Sequence, residues 1–208
     1  MTDSLIISHR FCGPPDSGNG GYTCGLIAAY LDGPAEITLR RPPPLTTPMA
    51  IERDGEGSVR VFDGRTLVAE GTCLSGSLAM EVPDPVSIRE ARAARTRSRL
   101  RAHPEEHPFP TCFVCGPDRR PEDGLRILVG PVTGRGLSAD IWYPHETLAD
   151  ADGNIRPEFV WAALDCAGGI SALDGTAPNG PPFVLGGSQP VKSPQSSRAS
   201  HISWPAGA

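Results

Sequence analysis

The chain has 208 residues, 38% of them hydrophobic, with 24 glycines, 23 prolines and a formal net charge of −5. That is enough apolar content for one large domain or two small ones, and the negative balance argues against a nucleic-acid binder. No apolar run nears the roughly 20 residues of a membrane helix, and residues 1–11 lack a secretory pattern, so a cytoplasmic protein with no membrane insertion is expected.

Residues 5–11 read as a short strand and residues 12–18 as a loop rich in Gly, Pro and Asp. Asn19 then suits the N-cap of a helix running from Gly20 to Leu31, which Asp32-Gly33-Pro34 ends. That helix carries no charge and is apolar or small on every face, so it is expected to be enclosed. A strand over 35–40 alternates Ile37 and Leu39 with polar residues, and a Pro-rich bend follows over 42–48. Three further strands, 49–53, 58–62 and 66–74, are separated by Asp54-Gly55 and Asp63-Gly64, both good hairpin signals. The first half thus predicts an antiparallel meander curved around one helix.

Between residues 87 and 107 the composition shifts to an Ala-rich run bearing Arg89, Arg92, Arg95, Arg97, Arg99 and Arg101. It reads as a solvated linker helix, with phosphate contact by one or two arginines as the second reading. The second half starts near Phe109 with Cys112-Phe113-Val114-Cys115-Gly116-Pro117. Strands over 125–129 and 137–143, a loop over 144–156, a helix from Pro157 and a strand over 183–185 complete it. Beyond Gly187 the Ser/Pro-rich sequence has no hydrophobic alternation and predicts a disordered tail. The expected organisation is therefore 1–86, a linker at 87–108, a second unit at 109–187 and a tail at 188–208. In this reading the second sheet is incomplete, through truncation or an altered reading frame, or is finished by another subunit in a homo-oligomer.

The helix from Pro157 carries the sharpest signal. Pro157 fits a first-turn position and Glu158 the positive end of the helix dipole. From Phe159 onward every side is apolar, and Asp165 is the only ionisable residue in the middle. Its helical neighbours, Trp161, Ala162, Gly168 and Gly169, offer no cation. A lone carboxylate there is costly unless a partner or a function accounts for it.

Three pieces together resemble the double hot-dog proteins related to acyl-CoA thioesterases. They are Asn19-Gly20-Gly21-Tyr22, then Cys112 to Pro117 with Gly124-Leu125, and then Trp161 to Gly169. The resemblance spans most of residues 1–187 and implies an α+β fold of two tandem hot-dog units, each an antiparallel sheet wrapped around a central helix. It also implies hydrolysis of an acyl-CoA or related acyl thioester in the groove between the halves, without a cofactor. In such enzymes an acidic residue on a central helix acts as nucleophile or general base, a role that falls to Asp165. A helix N-terminal amide polarises the thioester carbonyl, a role open to Gly20, Gly21 or Tyr22. Asn19 and Trp161 complete the candidate substrate contacts.

Plainer readings stand beside these. Asp165 could fix its helix by accepting hydrogen bonds from a neighbouring loop, Asn19 could be an N-cap only, and Tyr22 and Trp161 could be core or pocket wall. At the level of the whole chain the alternative is a non-catalytic acyl- or lipid-binding module or an assembly subunit. The six cysteines are not a disulfide framework and read mostly as buried small hydrophobes. Cys112 and Cys115 have the spacing of half a zinc knuckle, but a four-ligand site would have to recruit Cys166 or His145 from afar. A packed turn with no metal is expected, and His145 is expected to be exposed. Neither Gly-x-Ser-x-Gly nor a phosphate-binding glycine motif occurs in a suitable context.

Overall fold

Asn19 starts the first long helix by local chemistry alone. Its side-chain oxygen accepts from the Tyr22 N–H at 2.9 Å, and the helix α1 runs over Gly20–Ala28. The structure, a computed structural model, describes residues 3–75 and 82–172. The strands β1 (Ser4–Leu5), β2 (Ala35–Leu39), β3 (Met49–Arg53), β4 (Ser58–Asp63) and β5 (Thr66–Cys73) form one antiparallel sheet in the order β1-β3-β4-β5-β2. The protein is thus of the α+β class with an antiparallel sheet.

Alternation sets the register. Met49 and Ile51 of β3, and Val59 and Val61 of β4, face the core while Glu52 and Arg60 pair across the outer face. Val61 pairs with Ala69 but Phe62 pairs with Leu67, so Val68 is an extra residue in β5. That bulge lets the adjacent Val68 and Ala69 both be buried. β1 is shorter than the strand expected over 5–11. Ser8 caps a turn of 3-10 helix over His9–Phe11, and this brings Phe11 to stack on Tyr22 with centroids 4.2 Å apart.

The arginine-rich segment departs from a single solvated linker helix. It forms α2 (Ile88–Arg95) and α3 (Arg99–Ala102), broken where Ser98 caps the second. A capping box between Ser87 and Glu90 starts α2. Ala91 and Ala94 are buried because α2 lies on a small hairpin of β6 (Gly130–Val132) and β7 (Leu137–Ala139), whereas Leu100 of α3 enters the main core. A Cβ at Gly130 would sit 2.1 Å from the Ala94 carbonyl oxygen, so only glycine permits this approach.

Of the two second-half strands expected, 125–129 forms no strand, β6 lying instead at Gly130–Val132, and 137–143 is cut to β7, for identifiable reasons. Arg126 adopts φ 54°, which interrupts an extended run. The amides of Leu125 and Ile127 turn to the carbonyls of Phe113 and Val114, both at 2.9 Å. After Ala139, the Asp140 carboxylate takes the N–H groups of Leu128 and Ile141, displacing a ladder. The strand expected over 183–185 and the tail at 188–208 lie outside the described residues.

The last helix, α4 (Pro157–Ala172), packs along α1. Gly21 and Gly25 set the approach: a Cβ at Gly21 would lie 2.5 Å from the Trp161 carbonyl oxygen, and one at Gly25 2.5 Å from Glu158 Cα. Phe113 and Phe159 enter the same core as Phe11 and Tyr22, so both halves share one hydrophobic interior. Among the described residues no helix is long and apolar enough to cross a membrane.

Candidate functional site at the head of the first helix

Asp165 lies where α4 crosses the start of α1. Its Oδ2 accepts the Gly21 N–H at 2.8 Å, so the partner absent from its own helix is a backbone amide of the other. This satisfies one orphan donor of α1 and places a negative charge at the positive end of its dipole. The residue is only half-buried, yet burial pushes its carboxyl up to about 6 against the lowering effect of the Gly21 bond. A carboxylate of that basicity is mostly ionised at neutral pH and still able to take a proton.

The neighbouring amides are divided among three acceptors. Tyr22 N–H goes to Asn19 Oδ1, Thr23 N–H to the Asn19 carbonyl and Gly21 N–H to Asp165. Gly20 N–H has no acceptor among the described residues, and Gly20 is partly exposed. The structure therefore brings Asn19, Gly20, Gly21 and Asp165 together. Tyr22 points away into the aromatic cluster, where burial pushes its phenol up to about 12. Trp161 is partly buried and its Cβ covers Gly25, one turn along α1 from Gly21.

A shallow cleft of about 200 Å³ open to solvent lies elsewhere. Arg10, Phe113, Trp142, Tyr143 and His145 border it, and none of the six sequence candidates does. His145 belongs to that rim and caps a 3-10 turn over Glu146–Leu148 rather than facing Asp165. Cys24 lies near Asp165, but burial first, and then that carboxylate, push its thiol up to about 12, which makes it a poor nucleophile.

Sequence reasoning treated Cys166 as remote from Cys112 and Cys115. The structure corrects this: α4 carries Cys166 to the pair, and the three Sγ atoms lie within 4.8 Å of one another. Asn19 Nδ2 points at Cys112 Sγ (3.8 Å) and Cys166 Sγ (3.6 Å). A search for a third cysteine on an enclosed helix, once two such helices were expected to pair, would have found it.

Asp140 was also overlooked. Its side chain is 2% exposed and accepts from Arg95 Nη1 (2.9 Å) and Arg101 Nη2 (3.1 Å) besides two backbone amides. Two of the six linker arginines are thereby committed to the fold rather than to a ligand, whereas Arg89 and Arg92 are exposed. No family model, curated protein or solved structure matches the chain.

Proposed function

We propose that the chain is a hot-dog-type hydrolase of acyl thioesters, acting at the junction of α1 and α4. One observation carries this reading: a partly buried carboxylate on one helix meets the amide-bearing start of another, with the Gly20 N–H left over. The sheet order β1-β3-β4-β5-β2, with α1 between the first two strands in sequence and buried against the sheet, supports a hot-dog reading of the first half. In this mechanism Asp165 takes a proton from water as the water attacks the thioester carbonyl. The oxyanion develops against the Gly20 N–H at the positive end of α1, and the thiolate leaves.

A specific observation favours a second reading. The Gly21 amide, expected to face a substrate, is already bonded to Asp165, and the cleft bordered by Arg10 and His145 includes neither residue. A non-catalytic acyl-binding protein would have that closed arrangement.

Acyl-CoA thioesters of graded chain length, with a thiol-trapping dye, distinguish the two. Under the hydrolase reading Asp165→Asn lowers kcat/KM by about 100-fold or more, the usual range for losing a general base. Turnover unchanged in that variant would remove Asp165 from the chemistry. Binding of acyl-CoA without hydrolysis at any length would establish the second reading.

A further inference from the structure

A buried structural cysteine is ordinarily a small hydrophobe surrounded by carbon. Cys112, Cys115 and Cys166 are surrounded differently. Cys112 and Cys115 are buried and belong to one tight turn, in which the Gly116 N–H bonds to the Cys112 carbonyl at 2.9 Å. A Cβ at Gly116 would meet the Cys112 and Pro110 carbonyl oxygens at 2.5 Å each, so the sharpness of this turn requires glycine there. Cys166 arrives from α4, 54 residues after Cys112, with its Sγ 3.9 Å from that of Cys112.

The donors around the sulfurs matter as much as the sulfurs. The Asn19 amide cannot turn over, because its oxygen is held by the Tyr22 N–H; its NH₂ must therefore face Cys112 and Cys166. Neutral thiols are weak acceptors, whereas thiolates accept such bonds well. Three sulfurs within 4.8 Å of one another, with an amide donor aimed at two of them, form a donor set of the kind that holds a soft cation.

We propose that Cys112, Cys115 and Cys166 bind one thiophilic divalent ion, of the zinc type, with Asn19 donating to two of the ligand sulfurs. Two sulfurs on a tetrahedral zinc, with Zn–S near 2.3 Å, are about 3.8 Å apart, which is close to the separation of Cys112 and Cys166 here. Little rearrangement is needed to seat the ion. Cys166 is only partly buried, which leaves a route of entry, and a water takes the fourth position. Such an ion ties the 112–116 turn to α4 and, through Asn19, to the head of α1. It is independent of whether Asp165 hydrolyses anything.

The test is metal content of the full-length protein after folding under reducing conditions with zinc and removal of unbound ion. One zinc per chain is expected in the wild type and in Cys73→Ser, whose sulfur lies against Asp32 far from the cluster. Cys112→Ser and Cys166→Ser should each lose the ion. Because those variants could fail to fold, the wild-type apo-protein is also titrated with Co²⁺. A saturable thiolate-to-cobalt charge-transfer absorption at one equivalent is expected, together with a rise in melting temperature. A cooperatively folded wild-type chain that takes up neither ion would overturn the proposal. So would retention of zinc in a folded Cys166→Ser, or peptide mapping that finds a disulfide among the three in reduced, zinc-supplemented protein.

Discussion

Asp140 ties α2 and α3 to the segments on either side of the β6–β7 hairpin. It accepts from two guanidinium groups and two backbone amides while its own side chain is 2% exposed. Removing it leaves Arg101, partly buried and with an Nε already unpartnered, facing a cavity. Breaking a buried pair from one side costs about 3–5 kcal/mol, and the partial exposure of Arg95 and Arg101 puts Asp140→Ala near the lower end. Urea unfolding of that variant should show the loss at unchanged m-value; a loss below about 1 kcal/mol would mean the pairs are worth no more than surface bridges. Asp140 could not be read from the sequence, because its partners lie 39 and 45 residues away and nothing local marks it. Asp165 could, because it stands alone among apolar helical neighbours. Its partner, expected in a neighbouring loop, is instead the Gly21 amide at the start of α1, and backbone amides leave no trace in residue type.

At the scale of elements, α1 and α4 are held close by two missing side chains. Alanine at Gly21 would bring its Cβ to 2.5 Å from Asp165 Cβ and the Trp161 carbonyl; alanine at Gly25 meets Glu158 Cα at the same distance. Alanine favours a helix over glycine by up to about 1 kcal/mol. The overpacking it causes here costs about 1–3 kcal/mol and cannot be relieved by a rotamer, because the obstacles are largely backbone. Both Gly21→Ala and Gly25→Ala are therefore expected to lower the melting temperature despite better helix propensity, and the double variant more so. A thermal scan in which either variant is stabilised would refute the close crossing. The sequence predicted two enclosed helices, one uncharged and one with a single mid-helix carboxylate; α1 is largely buried, whereas α4 leaves Leu164 44% exposed. It also showed the meander of β3, β4 and β5 nearly residue by residue, because alternation and the two Asp-Gly turns are local signals. The second-half strands were overestimated for the opposite reason. A positive φ at Arg126 and a side chain at Asp140 that replaces backbone partners are tertiary effects with no periodic signature.

The sequence suggested two tandem units with paired central helices; the described residues form one shared interior with a small satellite under α2. Of the four rings packed around α1, Phe11 and Tyr22 come from the first half, Phe113 and Phe159 from the second. The backbone is shared as well, since Phe113 N–H bonds to the Cys12 carbonyl at 2.8 Å and Gly21 N–H to Asp165. Losing burial of the two second-half rings removes roughly 5 kcal/mol from the contacts that hold α1, an amount comparable with the whole stability of a small domain. The five-stranded sheet and α1 are thus a topological unit without being a thermodynamic one. A fragment of residues 1–86 is expected to expose the α1 face, bind a hydrophobic dye and melt without a cooperative transition, although it contains every strand of that sheet. Adding residues 87–208 in trans should restore a cooperative transition, and Phe113→Ala with Phe159→Ala in the added fragment should weaken that rescue by more than tenfold in the concentration required. A 1–86 fragment that melts cooperatively alone would show that the first half is stable without the second.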